Sequence, residues 1–186
     1  MQTELRRHFR ESRRQFIAKE GTQASSRLSS NLRRFLAEQA KPQTQVCLYR
    51  PTAEEASFQV GPLHQYFFPC LKEDTLEFRR PSEAEDFYAN RYGVLEPVVA
   101  KSEPLRASQP VLVCCPGVAV DWRGQRIGMG KGYYDRYFAD HPDAVRAAVV
   151  YQIQVAKDPL PAESWDQPVD WIVTEEMILR TANRSL

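Results

Sequence analysis

The chain has 186 residues, a formal net charge of +1, 42% apolar and 26% charged residues, which is length enough to bury a core in one domain spanning residues 1–186. Near-neutral charge supplies no field toward nucleic acid or an anionic membrane; the longest apolar run, residues 111–120, is too short for a bilayer span; and residues 1–14, polar and rich in arginine, lack the apolar centre of a secretory signal, so a cytoplasmic protein is expected. Cys47, Cys70, Cys114 and Cys115 have no C-x-x-C spacing and read as buried free thiols, and His8, His64 and His141 all lie away from the glycine-rich segment described below, which argues against histidine as a general base.

Residues 3–19 set Leu5, Phe9, Phe16 and Ile17 at helical spacing among Arg6, Arg7, Arg10, Arg13 and Arg14. This predicts an amphipathic helix whose arginines form a mostly solvated basic face. After Gly21 a second helix is expected over 23–39, with Leu28, Leu32, Phe35 and Leu36 on its apolar stripe, closed by Lys41-Pro42. Residues 46–49 read as the first buried strand, and the loop 49–57 follows its carboxyl end, where open α/β sheets place ligands. Residues 64–69 read as the next strand, yet 57–63, broken by Gly61-Pro62, is too short for the helix that a parallel crossover usually carries. Residues 75–79 alternate like a half-exposed strand. In the loop 90–97, Tyr92 is either a platform for a flat ring or a half-buried loop aromatic.

The stretch from 111 to 136 carries the chemistry. Its valine-rich start reads as a strand covered on both faces. A loop with Gly124, Gly128, Gly130 and Gly132 follows, and residues 133–138 have helical character. Glycines bring backbone N–H groups close to a ligand, and a helix's first turn favours an anion. Arg126, Lys131 and Arg136 add cations, a combination suited to a polyphosphate. Counting excludes the generic motifs. Gln125 and Gly132 stand where a Walker A loop needs glycine and Ser or Thr, and Tyr133 stands where the dinucleotide fingerprint needs its third glycine. Beyond the loop, residues 146–151 read as a buried strand, 152–161 as a loop and 171–174 as a returning strand. Alternation of apolar runs with helical segments indicates an α/β fold with a mainly parallel sheet covered by helices on both sides.

What remains is G-x-G-K-G-Y-Y-D-R at 128–136, preceded by D-x-x-G-x-R at 121–126. This pattern resembles the signature of the 5-formyltetrahydrofolate cyclo-ligases, also called methenyltetrahydrofolate synthetases. The segment D-x-P-x-D-x-x-V-T-E at 166–175 and Glu96-Pro97 are similar to further stretches of that family. The resemblance implies a three-layer α/β sandwich and ATP- and Mg²⁺-dependent cyclisation of 5-formyltetrahydrofolate, with or without a polyglutamate tail, to 5,10-methenyltetrahydrofolate. It implies nucleotide contacts from Gln2 and Arg6, at the place of the family's Lys-x-x-x-Arg, and from Arg126, Ile127, Gly128, Met129, Gly130, Lys131, Gly132, Tyr133 and Tyr134. Arg126 and Lys131 are expected to be catalytic, neutralising the transferring phosphoryl group. Folate contacts are expected from Glu55, Tyr92, Met129, Gly130, Lys131, Gly132 and Tyr133, and Mg²⁺ ligands from Asp135 and Asp166; Asp166 otherwise caps a helix or turn. Arg50 is a candidate for the substrate's glutamate end. Three departures stand out: Gln2 replaces a lysine, Ala56-Ser57-Phe58 replaces Val-Asp-Thr, and the segment after Glu55 is short. They keep open a non-catalytic folate- and nucleotide-binding relative. An RNA contact through the first helix is a third reading, opposed by the neutral charge and the lack of an RNA-binding motif.

Overall fold

The computed structural model describes residues 1–182. Helix α1 spans Gln2–Gln39, followed by β1 (Gln45–Cys47), β2 (Phe68–Lys72), β3 (Thr75–Pro81), β4 (Phe87–Ala89), β5 (Leu95–Pro97) and β6 (Ser102–Pro104). Then come β7 (Val111–Cys115), β8 (Ala119–Asp121), β9 (Arg126–Ile127), helix α2 (Tyr133–Asp140), β10 (Val145–Val149), β11 (Val155–Ala156), β12 (Trp171–Val173) and β13 (Ile178–Arg180). The central sheet has the order β1-β7-β10-β12-β13. Its first four strands are parallel and β13 closes the edge antiparallel.

Helix α1 covers one face through Ala24, Leu28, Leu32, Phe35 and Leu36, which pack with Val46, Leu112, Ala147 and Val173. Helix α2 covers the other through Tyr137 and Phe138, together with Leu76 and Phe78 of β3, against Val113, Cys115, Ala148 and Ile172. The result is the expected α/β sandwich with its parallel sheet between helical layers, carried by two α-helices. Strands buried on both faces explain the continuous apolar runs that predicted them. All four cysteines are buried and free. No helix among the described residues is long and apolar enough to cross a membrane.

Four expectations need correction. The two N-terminal helices are one helix of 38 residues, about 57 Å long. Gly21 interrupts propensity at a cost of ~1 kcal/mol, but the stripe Ile17, Ala24, Leu28, Leu32, Phe35 continues through it onto the sheet. Arg13 lies within this helix and is only 3% exposed, so the basic face is not wholly solvated. Residues 64–69 are not a strand of the main sheet. Phe67 alone pairs parallel with Cys47, and the chain then enters the antiparallel hairpin β2–β3, so no crossover helix is required. Finally, residues 90–97 are no simple loop but the tip and second strand of the β4–β5 hairpin. Buried Glu96 secures that hairpin, accepting from Tyr88 Oη (2.9 Å), Asn90 Nδ2 (2.6 Å) and the N–H of Leu71 (3.2 Å).

Candidate functional site

The apolar run at 111–120 is cut by Pro116-Gly117 into β7 and β8, and the cut marks the carboxyl end of β7 in the main sheet. Two side chains hold this corner. Gln154, fully buried, donates to Gly117 O (2.7 Å) and Val118 O (3.1 Å), and Arg13 Nη1 reaches Gly117 O at 3.2 Å. Burial pulls the Arg13 guanidinium below its usual range, against the opposing fields of Glu55 and Tyr49.

From this corner the chain makes the β8–β9 hairpin. Buried Asp121 builds it, accepting from the N–H groups of Arg123 (2.9 Å), Gln125 (3.0 Å) and Leu160 (2.9 Å) and pairing with the Arg123 guanidinium (2.9 Å). Gly124 turns at φ +86, and a Cβ there would fall 2.2 Å from Val169 O, so only glycine fits. The first D-x-x-G of the motif is thus architectural: it delivers Arg126.

Arg126 lies inside the protein, its side chain 3% exposed, and pairs with Asp135 at 3.0 Å. Burial opposes its charge, but Cys115, Asp135 and Tyr134 around it outweigh that and raise its pKa above the ordinary arginine value. Nη1 leans on Pro116 O at 3.4 Å and Nε is buried without an acceptor. The guanidinium stands 5.7 Å from the Tyr134 ring centroid. Burial drives the Tyr134 hydroxyl well above its ordinary pKa, with Cys115 and Glu55 acting in the same sense.

Arg6 arrives from the start of α1. Its Nε donates to Gly128 O (3.0 Å), its Nη2 to the Gln2 side-chain oxygen (2.7 Å), and its guanidinium carbon lies 3.8 Å from where a Gly130 Cβ would sit. The loop Gly128, Met129, Gly130, Lys131, Gly132 is exposed at its centre, Met129 to 58%. The N–H groups of Met129, Gly130, Lys131 and Gly132 find no acceptor among the described residues. The Lys131 side chain forms no ion pair among them either. Ile127, buried, anchors the loop's entry, and α2 leaves from Gly132 at φ +66.

The two expected metal ligands are held by neighbouring residues, and among the described residues they belong to no cluster of three or more groups able to hold a metal. Asp135 Oδ1 accepts from the N–H of Gln167 (3.3 Å), the residue after Asp166, while Asp166 Oδ2 accepts from Gln125 Nε2 (2.8 Å) and the N–H of Glu163 (2.9 Å). Adjacent residues of one hairpin, Gln125 and Arg126, thereby hold the two carboxylates. Asp166 does cap a turn, as its alternative reading required; among the described residues each acid keeps one oxygen without a hydrogen bond, and Mg²⁺ needs only one or two carboxylates beside phosphate oxygens and water.

On the other flank, Glu55 and Glu54 separate cleanly. Glu54 is exposed and pairs with Arg10 at 2.9 Å, whereas Glu55 turns inward, takes the N–H (2.9 Å) and Oγ1 (3.0 Å) of Thr52, and acts electrostatically on Arg13, Tyr49 and Tyr134. Its field thus reaches the first turn of α2. The replacements Ala56 and Phe58 are buried in the core beneath it. Arg50 lies 4.8 Å over the Phe87 ring of β4, and Tyr92 sits at the exposed hairpin tip against Arg91. These two form a separate rim along the β4–β5 hairpin, while Tyr133 lies beside the loop under Arg136.

A model of the 5-formyltetrahydrofolate cyclo-ligase family matches residues 1–175. The chain belongs to this family. Among curated members, the cyclo-ligase of Haemophilus influenzae is 33% identical over 82 residues, 43% of each chain. The mitochondrial cyclo-ligase of Arabidopsis thaliana is 28% identical over 131 residues, 61% of this chain and 47% of its own length. The chain therefore aligns with less than half the length of these two relatives. The cyclo-ligase of Mycoplasma pneumoniae is 24% identical over 92% of this chain and 97% of its own. The solution structure of the Aquifex aeolicus 5,10-methenyltetrahydrofolate synthetase superposes with a TM-score of 0.76 at 29% identity, covering all of this chain and 95% of that one. A solved structure of the M. pneumoniae 5,10-methenyltetrahydrofolate synthetase gives 0.72 at 20% identity over 94% of this chain and 99% of that one, a likeness of fold.

Within the cyclo-ligase family's pattern, two residues of this site escaped sequence reasoning. Arg13 continues the i, i+4 series Leu5, Phe9, Arg13, Ile17, so its burial had a helical signal that the charge masked. Gln154, a lone glutamine in a loop, had none.

Proposed function

We propose that the chain is a 5-formyltetrahydrofolate cyclo-ligase, converting 5-formyltetrahydrofolate with ATP to 5,10-methenyltetrahydrofolate, ADP and phosphate, as one cytoplasmic domain. The reading is carried by one observation: Arg6 from α1 and buried Arg126 from β9 flank a glycine loop whose N–H groups lack acceptors among the described residues. An N-formyl oxygen is a poor leaving group. Transfer of the γ-phosphoryl group onto it gives an imidate phosphate, and N10 then attacks the activated carbon, closes the ring and expels phosphate. The nucleophiles belong to the substrates, so the protein's task is alignment and charge neutralisation.

In this reading the loop from Gly128 to Gly132 receives the phosphates through its N–H groups, and Lys131 supplies the free charge. Arg126 and Arg6 neutralise what develops during transfer. Asp135 and Asp166 would hold Mg²⁺, which when bound supplies further neutralisation of the triphosphate. Glu55, Tyr133 and Met129 meet the folate next to the loop, while Arg50 and Tyr92 meet it farther out, toward the glutamate end or its polyglutamate extension. The test is purified protein with MgATP and 5-formyltetrahydrofolate, followed by the methenyl chromophore. Absence of that chromophore would refute turnover.

The second reading, a binding relative without turnover, is favoured by Gln2, whose oxygen takes an Arg6 donor where the family supplies a second cation. Calorimetry that detects ATP and folate binding without product formation would select it.

A further inference from the structure

Arg136 enters the sequence argument as a third cation of the loop, but the fold turns it elsewhere. It is exposed on α2, and its guanidinium spans two segments: Nε donates to the carbonyl of Asp74 in the β2–β3 turn, and Nη2 donates to the carbonyl of Lys131 at 2.9 Å. Among the described residues it forms no ion pair; both its acceptors are main-chain oxygens. A shallow groove lined by Lys72, Glu73, Thr75, Ala139 and Asp140 surrounds the contact.

We propose that Arg136 is a positioning residue that fixes the glycine loop in its nucleotide-receiving conformation, an inference resting on the function proposed above. The argument is one of peptide geometry. Among the described residues there is no cis peptide bond, and across a trans peptide the carbonyl of one residue and the N–H of the next point in opposite directions. Pinning Lys131 O toward the β2–β3 turn therefore aims the Gly132 N–H away from that turn. Arg6 does the same at the loop's other end, where its bond to Gly128 O directs the Met129 N–H away from Arg6. Two arginines on two helices thus orient the first and last N–H groups of the loop, each by holding the preceding carbonyl.

Gly132 is part of the device. At φ +66, with a would-be Cβ 2.9 Å from Arg136 Nη1, it leaves the guanidinium room to reach the Lys131 carbonyl. The Tyr133 ring, 5.3 Å from the guanidinium carbon, covers its other side. A surface cation that only solubilised α2 would need neither contact.

The test compares wild type, Arg136→Ala and Arg136→Lys for MgATP binding by calorimetry, for KM of each substrate and for melting temperature. Arg136→Ala should raise the ATP KM and Kd by roughly tenfold, the scale of one lost charge-assisted hydrogen-bonding group, with the melting temperature unchanged. Arg136→Lys should recover part of this, because an ammonium holds one carbonyl well but not two diverging ones, and millimolar guanidinium should restore part of the Ala variant's affinity. Unchanged ATP affinity in Arg136→Ala overturns the proposal. So does a loss of ATP affinity accompanied by a lower melting temperature, which would mark a staple of the fold. If wild type itself binds no MgATP, it is the nucleotide reading that fails, and this inference with it.

Discussion

Replacing Arg126 by methionine separates what this residue does for the fold from what it does for the reaction. Its side chain is 3% exposed and that of its partner Asp135 17%. The substitution leaves a mostly buried carboxylate with the N–H of Gln167 at 3.3 Å as its remaining donor, and it strips a donor from Pro116 O. Orphaning one member of a buried pair costs about 3–5 kcal/mol, and the partial exposure of Asp135 puts this case near 3. For a chain of this size that is a fall in melting temperature of roughly 6–12 °C. Methionine matches the aliphatic stem, so cavity formation adds little. Arg126→Met/Asp135→Asn removes the orphaned charge as well and should melt within about 4 °C of wild type. Turnover should not return with stability, because the double variant lacks both the guanidinium for the transferring phosphoryl group and the Asp135 charge proposed to hold Mg²⁺, a loss of about 100-fold or more. Circular dichroism melts and the methenyl assay on the same three preparations decide it. A single variant that melts like wild type would show that the pair contributes nothing to the fold, and a double variant that turns over normally would remove both Arg126 and Asp135 from the chemistry.

Lys131→Ala changes an exposed loop cation and should leave the melting temperature unaltered, while ATP-dependent product formation drops by roughly 100-fold; unchanged turnover removes this lysine from the mechanism. Asp166→Asn keeps the oxygen that accepts from Gln125 and Glu163 but loses the charge. The fold should hold while the Mg²⁺ concentration for half-maximal rate rises several-fold, and an unaltered Mg²⁺ curve places the metal elsewhere. At alkaline pH the buried acids set the limit. Burial raises Cys115 to about 11 and Cys70 to about 12, and drives Tyr49 and Tyr134 well above their usual range. Because the folded state holds these groups protonated, their contribution is complete below about pH 8.5, the unfolded thiol value, and is lost as pH rises through 9 toward 11–12. Melting temperature should be level from pH 7 to about 8.5 and fall above it, with thiols unreactive to a disulfide reagent until it does. Rapid thiol labelling of native protein at neutral pH would contradict the burial.

The parallel strands were legible because being covered on both faces writes an unbroken apolar run, and the exposed loop was legible because four glycines at close spacing break both helix and strand. The errors arise where tertiary packing outbids local preference. Gly21 looks like a boundary on propensity, yet the residues on either side of it share one stripe and one sheet, and a buried stripe outweighs ~1 kcal/mol. Residues 57–63 look like a damaged crossover only if residues 64–69 must be a strand of the main sheet. A single bridge at Phe67 and an antiparallel hairpin satisfy the backbone instead. Arg13 and Arg136 show the complementary failure. Both were counted as charges, and both act as hydrogen-bond donors to carbonyls far away in sequence, a role that spacing does not reveal.

The unbroken helix also explains how the site is assembled. The half of α1 from Ala24 to Leu36 is fully committed to the sheet, with Asn31 Nδ2 holding Thr174 O (2.9 Å), Arg33 Nη1 holding Gln59 O (2.7 Å) and Ser29 accepting from the Gln59 N–H (2.9 Å). The half before Gly21 contributes less apolar contact and carries the arginines: Arg13 at the end of β7, Arg10 at Glu54, Arg6 at the glycine loop. A helix interrupted at Gly21 would let these three groups move independently of the strands they meet. A continuous one transmits the registration fixed by its packed half to Arg6, the residue farthest from that packing and nearest the loop. Arg126 and Arg136 reach the same loop from β9 and α2, which are fixed by Asp121 and by the second core. Three cations borne on separately anchored elements therefore converge around residues 128–132, and the exposed glycine loop takes its shape from the rigid parts surrounding it.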